Sequence, residues 1–274
     1  MSAPADDNGT TGSGPAQAGT WIACGQRLVR QQPSLWYGMA AVYIVLGFLL
    51  TLIPFMGHLL LILITPMLLA GVIWGRAHPN PAEPESAPPL SSAQALLQTW
   101  VAQPTQELLR IFSHEGRLFG AVLLGIVTLG LVMAVKIVGY LLIGGSMISG
   151  LTADLAGGTP FITFAGMVLV AGLSVLLGMA LLYSVPLTVL GNRQPLDAIA
   201  ESFSACREHA RPLLILVAPF FLVYVVILVA FANSHWLGYL LTVSIGLLAL
   251  PLFIAAVYCS YLALFPPDPS SPRR

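Results

Sequence analysis

Lys136 is the single lysine of this 274-residue chain, and it lies inside a long apolar stretch. An ionisable side chain in such a stretch is costly and by default marks a functional site. Counted from Leu118, it lies about 18 residues in, or about 27 Å along a helix. That depth puts the ammonium near a membrane surface, where a long side chain can snorkel to the headgroups. The alternative is an ion pair with Asp154. His58, Asp154 and His235 come one each from three connecting turns. Two imidazoles and a carboxylate can bind zinc with a fourth position open. No spacing constrains these three, so solvation at an interface is the plainer expectation. Ser202, Ser204, Cys206, Glu208 and His209 share one short segment. Ser202 and Cys206 would face the same way, but His209 neighbours only Cys206 and no third orienting group can be named. A solvated helix face is expected there. His114-Glu115 lacks the H-E-x-x-H continuation of a zinc protease, because residue 118 is leucine. Cys24, Cys206 and Cys259 have no metal-ligand spacing and read as reduced, structural thiols. The expectation is a protein with no catalytic residue, no metal site and no cofactor.

The elements that would position these residues are membrane spans. Charged residues are 8% of the chain, against about 25% in ordinary globular proteins. Hydrophobic residues are 57%, and mean hydropathy is +0.87. Six apolar stretches cover roughly 35–53, 58–74, 118–143, 161–190, 212–232 and 236–265, each at least as long as the ~17–20 residues that cross a bilayer core as a helix. The expected fold is an all-α polytopic membrane bundle, with six transmembrane helices as three hairpins. Residues 1–20 read as a disordered tail without the basic start and apolar core of a cleavable signal peptide. Residues 21–265 read as the membrane domain, 76–90 as a proline-rich cytoplasmic linker and 266–274 as a second disordered tail. The glycine-rich connector 144–160 lacks the ending of a phosphate loop and reads as flexible.

Charge sets the expected orientation. Arg27, Arg30, Arg76, Arg110, Arg117, Arg193, Arg207, Arg211, Arg273 and Arg274 all fall in the two ends and the second and fourth connections. The turns at 54–57, 144–160 and 233–235 hold no Lys or Arg. Positive flanks resist translocation, so both termini are expected in the cytoplasm, in a bacterial inner (plasma) membrane. The formal net charge is zero, which gives no reason to expect a nucleic-acid partner.

Each hairpin is preceded by a stretch with helical amphipathic spacing. The apolar positions are Trp21, Cys24 and Leu28; then Leu108, Ile111 and Phe112; then Leu196, Ile199, Phe203 and Cys206. The second helix of each hairpin carries a proline: Pro66, Pro186 and Pro251. An internal proline removes a backbone hydrogen bond and bends the helix. Broken helices from repeats often line transport sites, although membrane helices are proline-rich in general. Small residues at i and i+4, such as Ala121/Gly125 and Ala180/Ser184, predict close helix packing inside one bundle.

From Tyr183 onward, Val185-Pro186-Leu187-Thr188-Val189-Leu190, Pro195-Leu196-Asp197-Ala198-Ile199 and Ser202-Phe203-Ser204-Ala205-Cys206 carry a resemblance. Pro212-Leu213-Leu214 and Leu250-Pro251-Leu252-Phe253-Ile254-Ala255 continue it, and Gln32-Pro33-Ser34-Leu35-Trp36 fits near the start. The chain resembles an uncharacterised family of proteobacterial six-helix inner-membrane proteins. Its layout is also similar to the membrane portion of some glycerophosphodiester phosphodiesterases. The resemblance implies an architecture and no activity or catalytic residues. The expected function is that of a non-catalytic membrane protein that organises or assists membrane partners. The alternative is a transporter or lipid-handling protein that uses the proline-broken helices. The expected partners are the lipid bilayer itself and a membrane protein or lipid.

Overall fold

A computed structural model describes residues 14–53, 56–77, 98–109, 115–141 and 159–266. Among these the chain is helical, with no strand. Helix α1 spans Gly14–Gln31, α2 Pro33–Thr51 and α3 Met56–Ala77. A π-helical turn at Gln98–Ala102 leads into the short α4, Gln103–Leu109. Then follow α5 (Glu115–Gly139), α6 (Thr159–Leu182), α7 (Ser184–Val189), α8 (Pro195–Glu208), α9 (Ala210–Asn233) and α10 (His235–Leu264). Six helical stretches are long and apolar enough to cross a membrane: α2, α3, α5, α6 continued by α7, α9 and α10.

Local sequence explains several boundaries. Pro33 and Pro195 open α2 and α8, where a missing N–H costs nothing and φ is already helical. At the turn into α3, a Cβ on Gly57 would collide with the Leu50 carbonyl oxygen, so only glycine fits. After α7, Asn192 takes φ 52°, a left-handed conformation that asparagine tolerates better than most residues. Phe48, Leu49, Phe221, Leu222 and Leu240 stand exposed on the long helices. So much exposed apolar surface suits a hydrocarbon surrounding, where helices satisfy their own backbone.

Two differences from the sequence reading stand out. First, α1 begins at Gly14, so residues 14–20 are helical and not part of a tail. Residues 1–13, 78–97 and 267–274 lie outside the described residues, and with them most of the linker and both tail ends. Second, the fourth span is not one helix. Tyr183, at φ −106° and ψ 0°, separates α6 from α7. Pro186 is the cause nearest at hand, because its ring removes the N–H that would bond the Leu182 carbonyl.

The faces of the shorter helices also differ from expectation. On α1 the buried stripe is Ala18, Trp21, Gly25 and Val29, whereas Cys24 is exposed. On α8 it is Pro195, Ala198, Ser202 and Cys206, whereas Leu196 is exposed. Ser202, expected on a solvated face, is thus fully buried, beside Cys206 of the expected apolar face. The reason is close approach. A Cβ on Gly25 would lie 2.8 Å from the Ala256 backbone nitrogen. Small residues face the neighbour because larger ones would hold the backbones apart. Ile111 and Phe112 lie outside the described residues.

Helix α1 packs on α10 and α9, α4 packs on α2 and α3, and α8 packs on α6 and α7. Between the long helices, α3 lies against α5, and α2 against both α3 and α10. A Cβ on Gly125 would lie 2.5 Å from the Leu63 carbonyl oxygen, and Ala121 one turn away is buried. This small-residue pair therefore sits in the α3–α5 contact, as its spacing predicts. A Cβ on Gly38 would likewise fall 2.6 Å from the Trp100 carbonyl oxygen.

Candidate functional site

The buried polar atoms gather where the fourth span breaks. In a continuous helix the Tyr183 N–H would bond the Met179 carbonyl. Instead the Ser202 hydroxyl sits between them. It accepts from the Tyr183 N–H at 3.0 Å and donates to the Met179 carbonyl at 2.9 Å. The α8 side chain thereby satisfies the ladder that the break opens, as buried backbone groups require. The Tyr183 and Ser260 hydroxyls are 2.8 Å apart, which joins the α6–α7 junction to α10. Ser184 donates back to the Ala180 carbonyl. Cys206 lies in the same packed cluster. Burial pushes its thiol up to about 11. A protonated thiol this far from its ordinary range is no nucleophile at neutral pH. His209 bonds only the Ala205 carbonyl of its own turn, at 3.2 Å. The hydroxyls of Ser202, Tyr183 and Ser260 thus hold the break by hydrogen bonds.

The cysteines differ from expectation as well. Cys24 and Cys259 are joined as a disulfide across 235 residues, with Cα atoms 6.2 Å apart. The glycine contact beside them, Gly25 on Ala256, brings α1 within bridging reach of α10. Cys206 remains free and buried.

At the arginine-free end, Lys136 does not stand alone. Its Nζ lies 2.8 Å from Nε2 of His58. His58 is in the first turn of α3 and Lys136 in the last turn of α5, and both are exposed. The α3–α5 contact carries the two ends together. Asp154, the acid considered as a partner for Lys136, lies outside the described residues. His235 opens α10 and is exposed. No group of three His, Cys, Asp or Glu side chains able to hold a metal occurs among the described residues. Tyr140, Trp236 and Tyr239 are exposed near the same end, where amphipathic rings favour a membrane interface.

The third feature is a cavity of about 230 Å³ between α2, α3 and α10. Its walls include Met39 and Ala40 from α2, Leu68 and Val72 from α3, and Pro251 and Phe253 from α10. The lining includes a pair of hydroxyls. The Tyr43 and Thr65 hydroxyls are 3.0 Å apart, and Thr65 donates to the Leu61 carbonyl at 2.6 Å. Of the three prolines singled out in the sequence, Pro251 lines this cavity. Pro66 adjoins Thr65 and is buried. Pro186 is buried in α7, away from the cavity lining. The three prolines are therefore not brought to one site. Thr65 and Tyr43 were invisible to a sequence search, because 22 residues separate them.

An apolar pocket with a few fixed polar groups is the usual form of a small-molecule site. This one lies among helices long and apolar enough to span a membrane. No family model, no curated protein and no solved structure matches the chain.

Proposed function

We propose that this chain is a multi-pass protein of a bacterial inner (plasma) membrane that binds a lipid without transforming it. In this reading the arginine-bearing segments and both termini are cytoplasmic, and the end carrying His58 and Lys136 faces outward. The three helix pairs are repeats, each led by a cytoplasmic amphipathic helix. Support comes from the packing of each leading helix on the pair before it in cyclic order: α1 on α9 and α10, α4 on α2 and α3, α8 on α5 and the broken span α6–α7. The kinship with the proteobacterial inner-membrane family belongs to the same reading. Of the two roles the sequence admits, organising a protein partner and handling a lipid, the second is favoured. The observation that carries it is the cavity at Pro251, with its apolar walls and single hydroxyl pair. Its occupant needs no charge and no water path, which suits spans poor in ionisable groups.

Native mass spectrometry of the protein, gently extracted from its own membrane, tests this. A retained lipid is expected, and it should be lost in Ala40→Phe, which grows a ring from the cavity wall. Thermal unfolding of the variant checks that the bundle persists. A stoichiometric protein partner without lipid would favour the organising role, and an empty monomer would overturn the lipid reading.

A further inference from the structure

We propose that the bound lipid is a phospholipid of the outer leaflet, and that His58 and Lys136 hold its phosphate while one acyl chain enters the cavity. This rests on the lipid-binding reading above and adds the headgroup.

The first argument is charge. Apart from Asp154, every acid in the chain falls in the arginine-bearing segments and tails. Lys136 is the lone lysine, and its close contact is another base, His58, at 2.8 Å. Against a neutral imidazole the ammonium donates to Nε2, which leaves the ring proton on Nδ1. Among the described residues, two ammonium hydrogens and the Nδ1–H then remain as donors. They need an acceptor-rich anion, and a phosphate at headgroup level supplies one. The first turn of α3 adds the positive end of a 22-residue helix, which favours the same sign of ligand.

The second argument is register. His58 and Thr65 are seven residues apart on α3, so they share a face and are separated by about 10.5 Å along the axis. Thr65, Leu68, Leu69 and Val72 are the α3 residues that line the cavity. The basic pair thus stands about two turns beyond the cavity on the same side of the same helix. A phospholipid has this layout: a phosphate at the surface and a chain that descends from it. Neither a free fatty alcohol nor an inorganic anion would use both ends.

Binding of two probes with identical acyl chains, phosphatidylglycerol and diacylglycerol, to the full chain in detergent separates the possibilities. The wild-type protein should bind phosphatidylglycerol at least about tenfold more tightly, as expected for a charge-assisted bond to phosphate. His58→Ala with Lys136→Met should erase that preference while diacylglycerol still binds. Ala40→Phe should weaken both probes together. Equal affinity for the two probes in the wild type would overturn the phosphate anchor and leave chain binding intact. A preference that survives the double variant would remove His58 and Lys136 from the site. Displacement of phosphatidylglycerol by millimolar inorganic phosphate would reassign the pair as a free-anion site. Binding of neither probe would overturn the lipid reading itself. Unfolding temperatures of the variants show whether any loss is a loss of fold.

Discussion

Replacing Ser202 by alanine should destabilise the bundle by about 2–4 kcal/mol. The hydroxyl is fully buried and serves two backbone groups at once, the Tyr183 N–H and the Met179 carbonyl. Removal leaves one donor and one acceptor without the bond that burial demands, at about 1–3 kcal/mol each. Part is regained if the helix closes and Tyr183 bonds Met179 directly, which keeps the total below the sum. For a chain of this size that loss lowers the unfolding temperature by roughly 4–16 °C. The assay is unfolding in mixed micelles with rising denaturing detergent, followed by tryptophan fluorescence. Ser204→Ala is the matched control. Ser204 is exposed and makes only a 3.4 Å contact with Glu208, so its loss should stay within about 0.5 kcal/mol. If Ser202→Ala is no more costly than the control, the hydroxyl is not what holds the break, and the explanation given for the α6–α7 junction is wrong.

Gly25→Leu should detach or strain α1, because its Cβ would meet the Ala256 backbone at 2.8 Å; a loss of about 1–3 kcal/mol with a red shift of tryptophan emission is expected, and an unchanged spectrum would contradict it. Thiol counting on the unfolded, unreduced protein should find one reactive cysteine, Cys206, and three after reduction; three before reduction would contradict the Cys24–Cys259 bond. Cys206 binds its proton more tightly when folded, with its thiol raised from 9.0 to about 11. Its contribution is therefore present below pH 9 and is lost as pH rises from 9 toward 11. Cys206→Ala should flatten that part of the stability profile, and an equal slope in the variant would contradict the shift. Tyr43→Phe removes the hydroxyl partner of Thr65 and should cost about 0.5–1.5 kcal/mol in thermal unfolding.

Much of the fold was legible because apolar runs of span length have few other uses. The Ala121/Gly125 spacing also pointed correctly to a tight contact, and Gly125 meets the α3 backbone there. The faces of α1 and α8 were misread for a physical reason. Periodicity of large apolar side chains locates a buried face only when the packing distance is ordinary. Here Gly25, Ala198 and Ser202 let backbones come close, so the small residues point inward and Leu196 points out. The break at Tyr183 was half legible in Pro186. Its remedy was not, because the Ser202 hydroxyl comes from 19 residues away. The same holds for His58 with Lys136, 78 residues apart, and for the disulfide. Long-range pairs between single polar residues leave no periodic trace in one sequence.

Orientation decides which end of the bundle meets which leaflet, and a reporter-fusion map measures it directly. Fusions in the stretches 78–97 and 191–194 should report the cytoplasm, and fusions at 144–157 and 234 should report the opposite side. That pattern places His58 and Lys136 at the outer surface, where a phospholipid of the outer leaflet can reach them. Arginine-bearing connections found outside, or connections of one kind found on both sides, would contradict the six-span arrangement and the lipid site built on it.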